Sequence, residues 1–309
     1  MKPMSKPSFY VLALIAALRI FWTNPLLASE LPRFAYMGDG QIAVGDQSIR
    51  FRADGVYEEE GLKRLHRIFN GNWEDPEERL SLRFLEMLDY LQDQLQGGPY
   101  ILKSGYRSPT LNQSLRDRGK LAAQSSMHME GAAADLILSG VPASRVFEFV
   151  KELNCCGIGW YHGKHFHFDT GPARYWDEKT SKTEDKTPQQ NEKIILQPDW
   201  DRYLAGERLG LKWMRATDYP FGIPTVAELV RPDDPGFQKK LEILFPNGPQ
   251  ETQGCRILSS RKQARSLAAD LPKDLPPGSY ALQISFCNRF NYEKMPEKIL
   301  SRPFEIKKP

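Results

Sequence analysis

Between Asp177 and Lys193 the chain consists almost wholly of Thr, Ser, Lys, Glu, Asp and Gln, with hardly an apolar residue. Such a stretch cannot bury enough apolar surface to offset the entropy of ordering it. It predicts a polar linker over residues 178–193, which divides the chain in two. At 309 residues there is length for two regions that each bury a core. Hydrophobic residues at 40% and charged residues at 26% suit globular regions on both sides. The formal net charge of +3 is compatible with an anionic polymer as partner but makes no case for nucleic acid. No run of alternating basic and aromatic residues offers a base-stacking surface.

Residues 1–29 differ from everything after them. Lys2 and Lys6 precede an apolar run from Phe9 to Leu18, and small residues follow at Ala28-Ser29. A basic start, an apolar run of about 7–15 residues and a small-residue exit mark a secretory signal, which places the protein in the periplasm or cell envelope. Arg19 interrupts the run, and it also counts against the alternative of a retained anchor, since a span wants about 20 apolar residues. In an oxidising compartment Cys255 and Cys287 either bridge or remain two buried thiols. Neighbouring cysteines form a strained ring when oxidised, so Cys155 and Cys156 are expected to pack as thiols.

Residues 30–177 read as a mixed α+β unit. Leu62, Leu65 and Phe69 have helical spacing over Glu59 to Asn70. A second helix is expected from Asp75-Pro76-Glu77-Glu78, burying Leu80, Phe84, Leu88, Leu91 and Leu95 and ending at Gly97-Gly98. A third spans Ala143 to Leu153. Strands are expected at Tyr100–Lys103, Ala133–Leu138, Gly157–Tyr161 and His165–Asp169. Residues 194–309 contain short apolar runs separated by Gly, Pro, Asn and Asp, as in a small β-sandwich of immunoglobulin-like type.

The residues that carry chemistry fall in the first region. The chain has 5 histidines, and three of them crowd at 162, 165 and 167. On a strand, His165, His167 and Asp169 project from one face. Neutral imidazole and carboxylate are usual zinc ligands, and a catalytic zinc takes three protein ligands with a fourth position for water. His128, Asp135 and one histidine of the His165/His167 pair supply that set. Gly131, Ala132, Ala133 and Ala134 leave room around a crowded site. His66 and His162 are expected to be ordinary solvated residues. Tyr106 and Trp160 either line the cleft or, as aromatics in such positions more often do, pack in the core, and Ser126 is expected to serve a turn or support the site rather than act as a nucleophile.

Ser126-x-His128-x-x-Gly131-x-Ala133-x-Asp135 followed by His165-x-His167 resembles the zinc D-Ala-D-Ala carboxypeptidase/endopeptidase family, within the superfamily of lysostaphin-type enzymes and the hedgehog signalling domain. Ser104-Gly-Tyr-Arg-Ser108 with Pro109 and Asn112 resembles the family's arginine segment. His167-Phe-Asp-Thr-Gly-Pro-Ala-Arg-Tyr-Trp176 is similar to the close of the domain in a small murein-endopeptidase branch. The likeness covers roughly residues 35 to 177. It implies a zinc peptidase domain with a small antiparallel sheet flanked by helices, and hydrolysis of peptidoglycan stem peptides or crosslinks by a metal-activated water. It further implies His128, Asp135 and His167 as ligands of Zn2+, His165 as the group that takes or stabilises a proton, and Arg107 as the cation that holds a carbonyl oxygen or substrate carboxylate. Asp169 would orient a ligand histidine from behind. Where the family's dipeptidase branch has a glutamate before the last histidine, this chain has Gly163-Lys164-His165-Phe166. The alternative reading is a zinc-stabilised wall-binding protein without turnover, or one whose β-rich region does the docking.

Overall fold

A computed structural model describes residues 31–120, 122–181, 187–245, 251–252, 254–265 and 267–308. The expected leader, residues 1–29, lies outside them. No helix among the described residues is long and apolar enough to cross a membrane.

The N-terminal region is built on a seven-stranded sheet of order β2-β1-β5-β6-β8-β7-β9. Its strands are β1 (Gln41–Val44), β2 (Gln47–Arg50), β5 (Tyr100–Ser104), β6 (Ala133–Leu138), β7 (Gly157–Trp160), β8 (Phe166–Asp169) and β9 (Arg174–Asp177), and a small hairpin pairs β3 (Arg52–Ala53) with β4 (Val56–Tyr57). Helices α1 (Glu59–Ile68), α2 (Leu82–Gln94), α3 (Pro109–Asp117) and α4 (Ala143–Leu153) interrupt the strands. The sheet's two faces follow from alternation along each strand. Ala134, Leu136 and Leu138 of β6, Ile158 of β7 and Phe166 and Phe168 of β8 join the core with Leu62, Leu65, Phe84, Leu88 and Leu91 of the helices. Asp135 of β6 and His167 of β8 therefore lie on the opposite face. Burying an aliphatic or aromatic side chain contributes about 1.5–3 kcal/mol, so this alternation pins the register.

In the C-terminal region, mixed sheets surround a second core that includes Trp213, Tyr203, Phe221, Leu229, Tyr280 and Phe304. The strands are β10 (Ile195–Pro198), β11 (Arg202–Leu204), β12 (Arg208–Met214), β13 (Phe221–Pro224), β14 (Val226–Arg231), β15 (Asp234–Glu242), β16 (Glu251–Thr252), β17 (Cys255–Leu258), β18 (Leu267–Asp270), β19 (Gly278–Ser285), β20 (Lys298–Leu300) and β21 (Phe304–Lys307), with a one-turn helix α5 (Arg261–Ala264). A sheet of order β11-β21-β19-β14-β15 lies with three-stranded sheets β10-β12-β18 and β13-β17-β16. Most pairs are antiparallel, and β11–β21 is parallel. The expected β-rich character is present. Cys255 and Cys287 are disulfide-bonded, which ties β17 to the segment after β19.

Other expectations are corrected. Cys155 and Cys156 are bonded to each other rather than packing as thiols. Asn154 takes a left-handed φ of 48° at the end of α4, and both cysteines fall in the irregular turn before β7, outside a strand, where successive side chains diverge. Helix α2 starts at Leu82, not at Asp75. The Asp75 carboxylate instead accepts the Glu77 N–H at 2.8 Å in a local turn, and Arg79 Nε donates to Trp73 O at 2.8 Å. The polar stretch also departs from a solvated tether at its end. Asn191 is fully buried, donating to Asp218 O at 2.9 Å and accepting from Thr217 N at 2.8 Å.

His66 is not solvated. It is 1% exposed, its Nδ1–H donates to Leu62 O at 2.7 Å, and Leu80 N–H donates to its Nε2 at 2.9 Å. A proton on Nε2 would break the Leu80 bond inside the core. Burial accordingly pushes the His66 pKa down to about 4. A histidine whose pKa falls on folding stabilises the protein fully above its unfolded value, about 6.5, and that stability is lost as pH falls towards 4. The loss expected from this one group is up to about 3 kcal/mol. Urea unfolding of wild type and His66→Gln between pH 7.5 and 4.5 checks it: the variant should show a flatter pH slope, and equal slopes would refute the assignment.

Candidate active site

The ladder of strands places the candidate residues in a row. In the register, Ser104 of β5 lies beside Asp135 of β6, Asp135 opposite His167 of β8, His167 beside Gly159 of β7, and Gly159 beside Trp176 of β9. An irregularity between Leu102 and Ser104 turns the end of β5, from which Arg107 reaches back. Its Nη2 donates to Asp135 Oδ2 at 2.6 Å and its Nε to Ser104 Oγ at 2.9 Å.

His128 arrives from a different element, the 3-10 turn Met127–Glu130. Ser126 caps that turn, its hydroxyl accepting from His128 N. Gly131 ends it with a left-handed φ of 62°, and a Cβ there would lie 2.3 Å from Arg79 O, so only glycine fits. The His128 Nδ1–H donates to Gly105 O at 2.7 Å, which leaves the Nε2 lone pair facing the row. His167 Nε2–H donates to Asp169 Oδ2 at 2.9 Å, which turns Nδ1 the same way. His167 Nδ1 stands 3.0 Å from Asp135 Oδ1 and 3.2 Å from His128 Nε2, while His128 Nε2 is 3.4 Å from Asp135 Oδ1. Three acceptor atoms thus converge on one point, an arrangement that repels itself unless a cation lies between them.

The electrostatics agree. Burial lowers the His128 pKa. Burial would lower His167 as well, but Asp135 and Asp169, which accept hydrogen bonds from the protonated ring, raise it instead. Burial opposes ionisation of Asp135, yet His128 and His167 hold its pKa well below the carboxylate range. Asp169 is fully buried, held ionised by Arg174 at 2.8 Å and by the Gly171 N–H at 2.8 Å. Gly157 in β7 makes room for it, since a Cβ there would lie 2.2 Å from Asp169 Oδ2. His128, Asp135 and His167 are a group able to hold a metal ion. Asp39, Asp89 and Asp93 gather elsewhere without imidazole, and Asp89 and Asp93 accept the Gly40 and Asp39 N–H groups.

The row floors a cleft of about 420 Å3, walled by Tyr161 and Trp176 on one side. A larger cavity of about 630 Å3, bordered by Tyr36, Asp201 and Arg302, lies between the two regions away from these residues. Of the five expected site residues, Arg107, His128, Asp135 and His167 meet in the smaller cleft. His165 does not join them. Strand β8 begins one residue later, and His165 borders a neighbouring cavity with Trp160 and Phe166. Its ring stacks on Tyr161 at 4.3 Å, and burial lowers its pKa. Trp160 lies with it, half-buried against Phe147, and Tyr106 packs in the core. His162 is partly buried and bonded to Asp177 at 2.6 Å rather than solvated.

Sequence reasoning missed Glu130, whose carboxylate is buried beneath the His128 turn. It accepts from Arg215 N at 2.9 Å and from the guanidinium groups of Arg261 at 3.2 Å and of Arg265. Burial alone would raise its pKa, but Arg261 and Arg265 bring it below the usual range. All three arginines come from the C-terminal region, where Met214 also packs against Met127 and Ala133. No spacing within the motif signals these partners.

Residues 41–176 match the family described as peptidoglycan L,D-endopeptidase MepK. The peptidoglycan L,D-endopeptidase MepK of Escherichia coli strain K12 is 33% identical over 122 residues, 39% of this chain and 67% of that protein. The protein of the same name from Shigella flexneri matches to the same extent, 33% over 122 residues. The probable peptidoglycan L,D-endopeptidase MepK of Haemophilus influenzae is 38% identical over 73 residues, 23% of this chain and 39% of that relative. No solved structure matches the chain. The matched span encloses the whole cluster of Arg107, His128, Asp135 and His167, and the chain belongs to the MepK family of peptidases.

Proposed function

We propose that the protein is a zinc peptidase exported to the cell envelope, where it hydrolyses peptide bonds in peptidoglycan stem peptides or crosslinks. The observation that carries this reading is the convergence of His128 Nε2, His167 Nδ1 and Asp135 Oδ1 in the floor of an open cleft. Two neutral imidazoles and a carboxylate are a common catalytic zinc set. Bonds of about 2.0–2.1 Å in a tetrahedron separate ligand atoms by about 3.3 Å. The three separations found, 3.0, 3.2 and 3.4 Å, fit that edge. The names of the relatives favour an L,D linkage as the bond cut.

Bound there, zinc would polarise the scissile carbonyl and bring the pKa of a coordinated water towards neutrality. The remaining work falls to the chain's own groups. Gly105 O and Asp169 fix the two imidazoles in the tautomers that ligation needs. Arg107, braced by Ser104, presents a permanent positive charge beside the cleft floor, where negative charge develops on the carbonyl oxygen. Tyr161 and Trp176 offer flat surfaces to the substrate backbone. His165, the proton-handling group that the resemblance implies, stacks on Tyr161 outside the cleft lining, so it would have to turn from that stack to reach a water in the cleft.

Mass analysis of muropeptide digests tests the reading. Products should appear with the untreated protein, vanish after chelation and return on adding zinc, and His167→Ala should release none. Zinc retained without any product would replace the peptidase by a wall-binding protein. Asp169→Asn keeps the shape of the side chain but not its charge behind His167. Its zinc affinity, read by competition with a chromogenic chelator, should drop about 10–100-fold. An affinity equal to wild type would remove Asp169 from the site.

A further inference from the structure

The cleft is not completed by the family-matched residues alone. Arg215, which follows β12, and Lys193 line it, and both lie beyond residues 41–176. We propose that Arg215 is a specificity-determining residue that binds a free carboxylate of the peptide substrate. The proposal rests on the peptidase reading above.

Three observations carry it. Arg215 holds a left-handed backbone with a φ of 59°, uncommon for a residue with a long side chain. Its N–H is fixed by Glu130 at 2.9 Å, and its guanidinium is oriented at the cleft wall by Ser125, Nε donating to the carbonyl at 3.2 Å and Nη2 to the hydroxyl at 3.1 Å. A side chain held at both ends loses little freedom when it binds a ligand. Second, the charges are unequal. Among the described residues, the basic side chains of Arg107, Arg174, Lys193 and Arg215 line the cleft against the carboxylates of Asp135 and Glu178. The carboxylates of the cleft itself are committed, Asp135 to Arg107 and Glu178 to Lys164. The wall from the C-terminal region thus adds positive charge to the cleft. Third, the fork of a guanidinium matches a carboxylate in shape as well as in charge. Stem peptides carry free carboxylates close to their peptide bonds, and Arg215 lines the same cleft as His128, Asp135 and His167.

The test uses the full-length zinc-loaded protein and two synthetic stem tetrapeptides, one with free carboxylates and one with them amidated. Arg215→Gln should raise KM for the free peptide about 10–100-fold with kcat within about twofold, and leave KM for the amidated peptide unchanged. Arg215→Lys should recover part of the loss. Equal losses on both peptides, or a fall in kcat at constant KM, would make Arg215 a clamp for the His128 turn and overturn the proposal. Ser125→Ala, which loosens the guanidinium without removing it, is the second variant should Arg215→Gln not fold. It should raise KM a few-fold for the free peptide only, and no difference between the peptides would again overturn the proposal. Absence of product from either peptide with the unaltered protein is a separate outcome: it removes the peptidase reading, and this proposal with it.

Discussion

The pairing of Asp135 with His167 across β6 and β8 is the constraint on which the rest depends. On either side of that pair, Ala134, Leu136, Phe166 and Phe168 face the helices and are fully or almost fully buried. A slip of one residue would send the aromatic and aliphatic side chains to the cleft and a carboxylate and an imidazole into the core. The cost of that exchange is many times the energy of any single contact in the site. The hydrophobic core therefore sets the positions of two of the three converging atoms, and no flexible loop has to hold them.

The third atom, on His128, has a different kind of support. A single 3-10 turn has little stability of its own. This one is held from below by Glu130, whose buried charge is matched by Arg261 and Arg265 and by the backbone of Arg215. A buried ion cluster adds little net stability, but removing one member leaves an uncompensated charge in a dry place, which is strongly unfavourable. The C-terminal region is thereby coupled to the position of His128. Contacts of Arg83 with Asp201 and of Arg33 with Glu207 at 2.7 Å join the two regions elsewhere.

Behind the converging atoms lies a layer of fixed acceptors. Gly105 O and Asp169 each take one ring N–H, so both imidazoles present their remaining nitrogen to the same point. Asp169 keeps its charge in a fully buried position because Arg174 and the Gly171 N–H share it. The row continues through Gly159 to Trp176, whose indole occupies the space a side chain at 159 would need. Glycines on this face give up their own packing so that groups with functional chemistry can approach.

What the sequence determined by itself was local. A short apolar run marked β6 within its bounds and helical spacing marked α4, because side chains at those intervals share a face wherever the chain folds, while the set of His128, Asp135 and His167 was legible through the resemblance of its motif. Contacts between residues far apart in sequence were left to the tertiary structure. It buried His66 against Leu80, delayed the start of α2, joined Cys155 to Cys156 in a turn and moved His165 out of the row. It also brought Arg215 to Ser125 across 90 residues of sequence and closed the cleft with a wall from the other region. Spacing along a strand fixes which face a side chain takes, but which distant side chain meets it there depends on how two cores pack, and no local pattern encodes that.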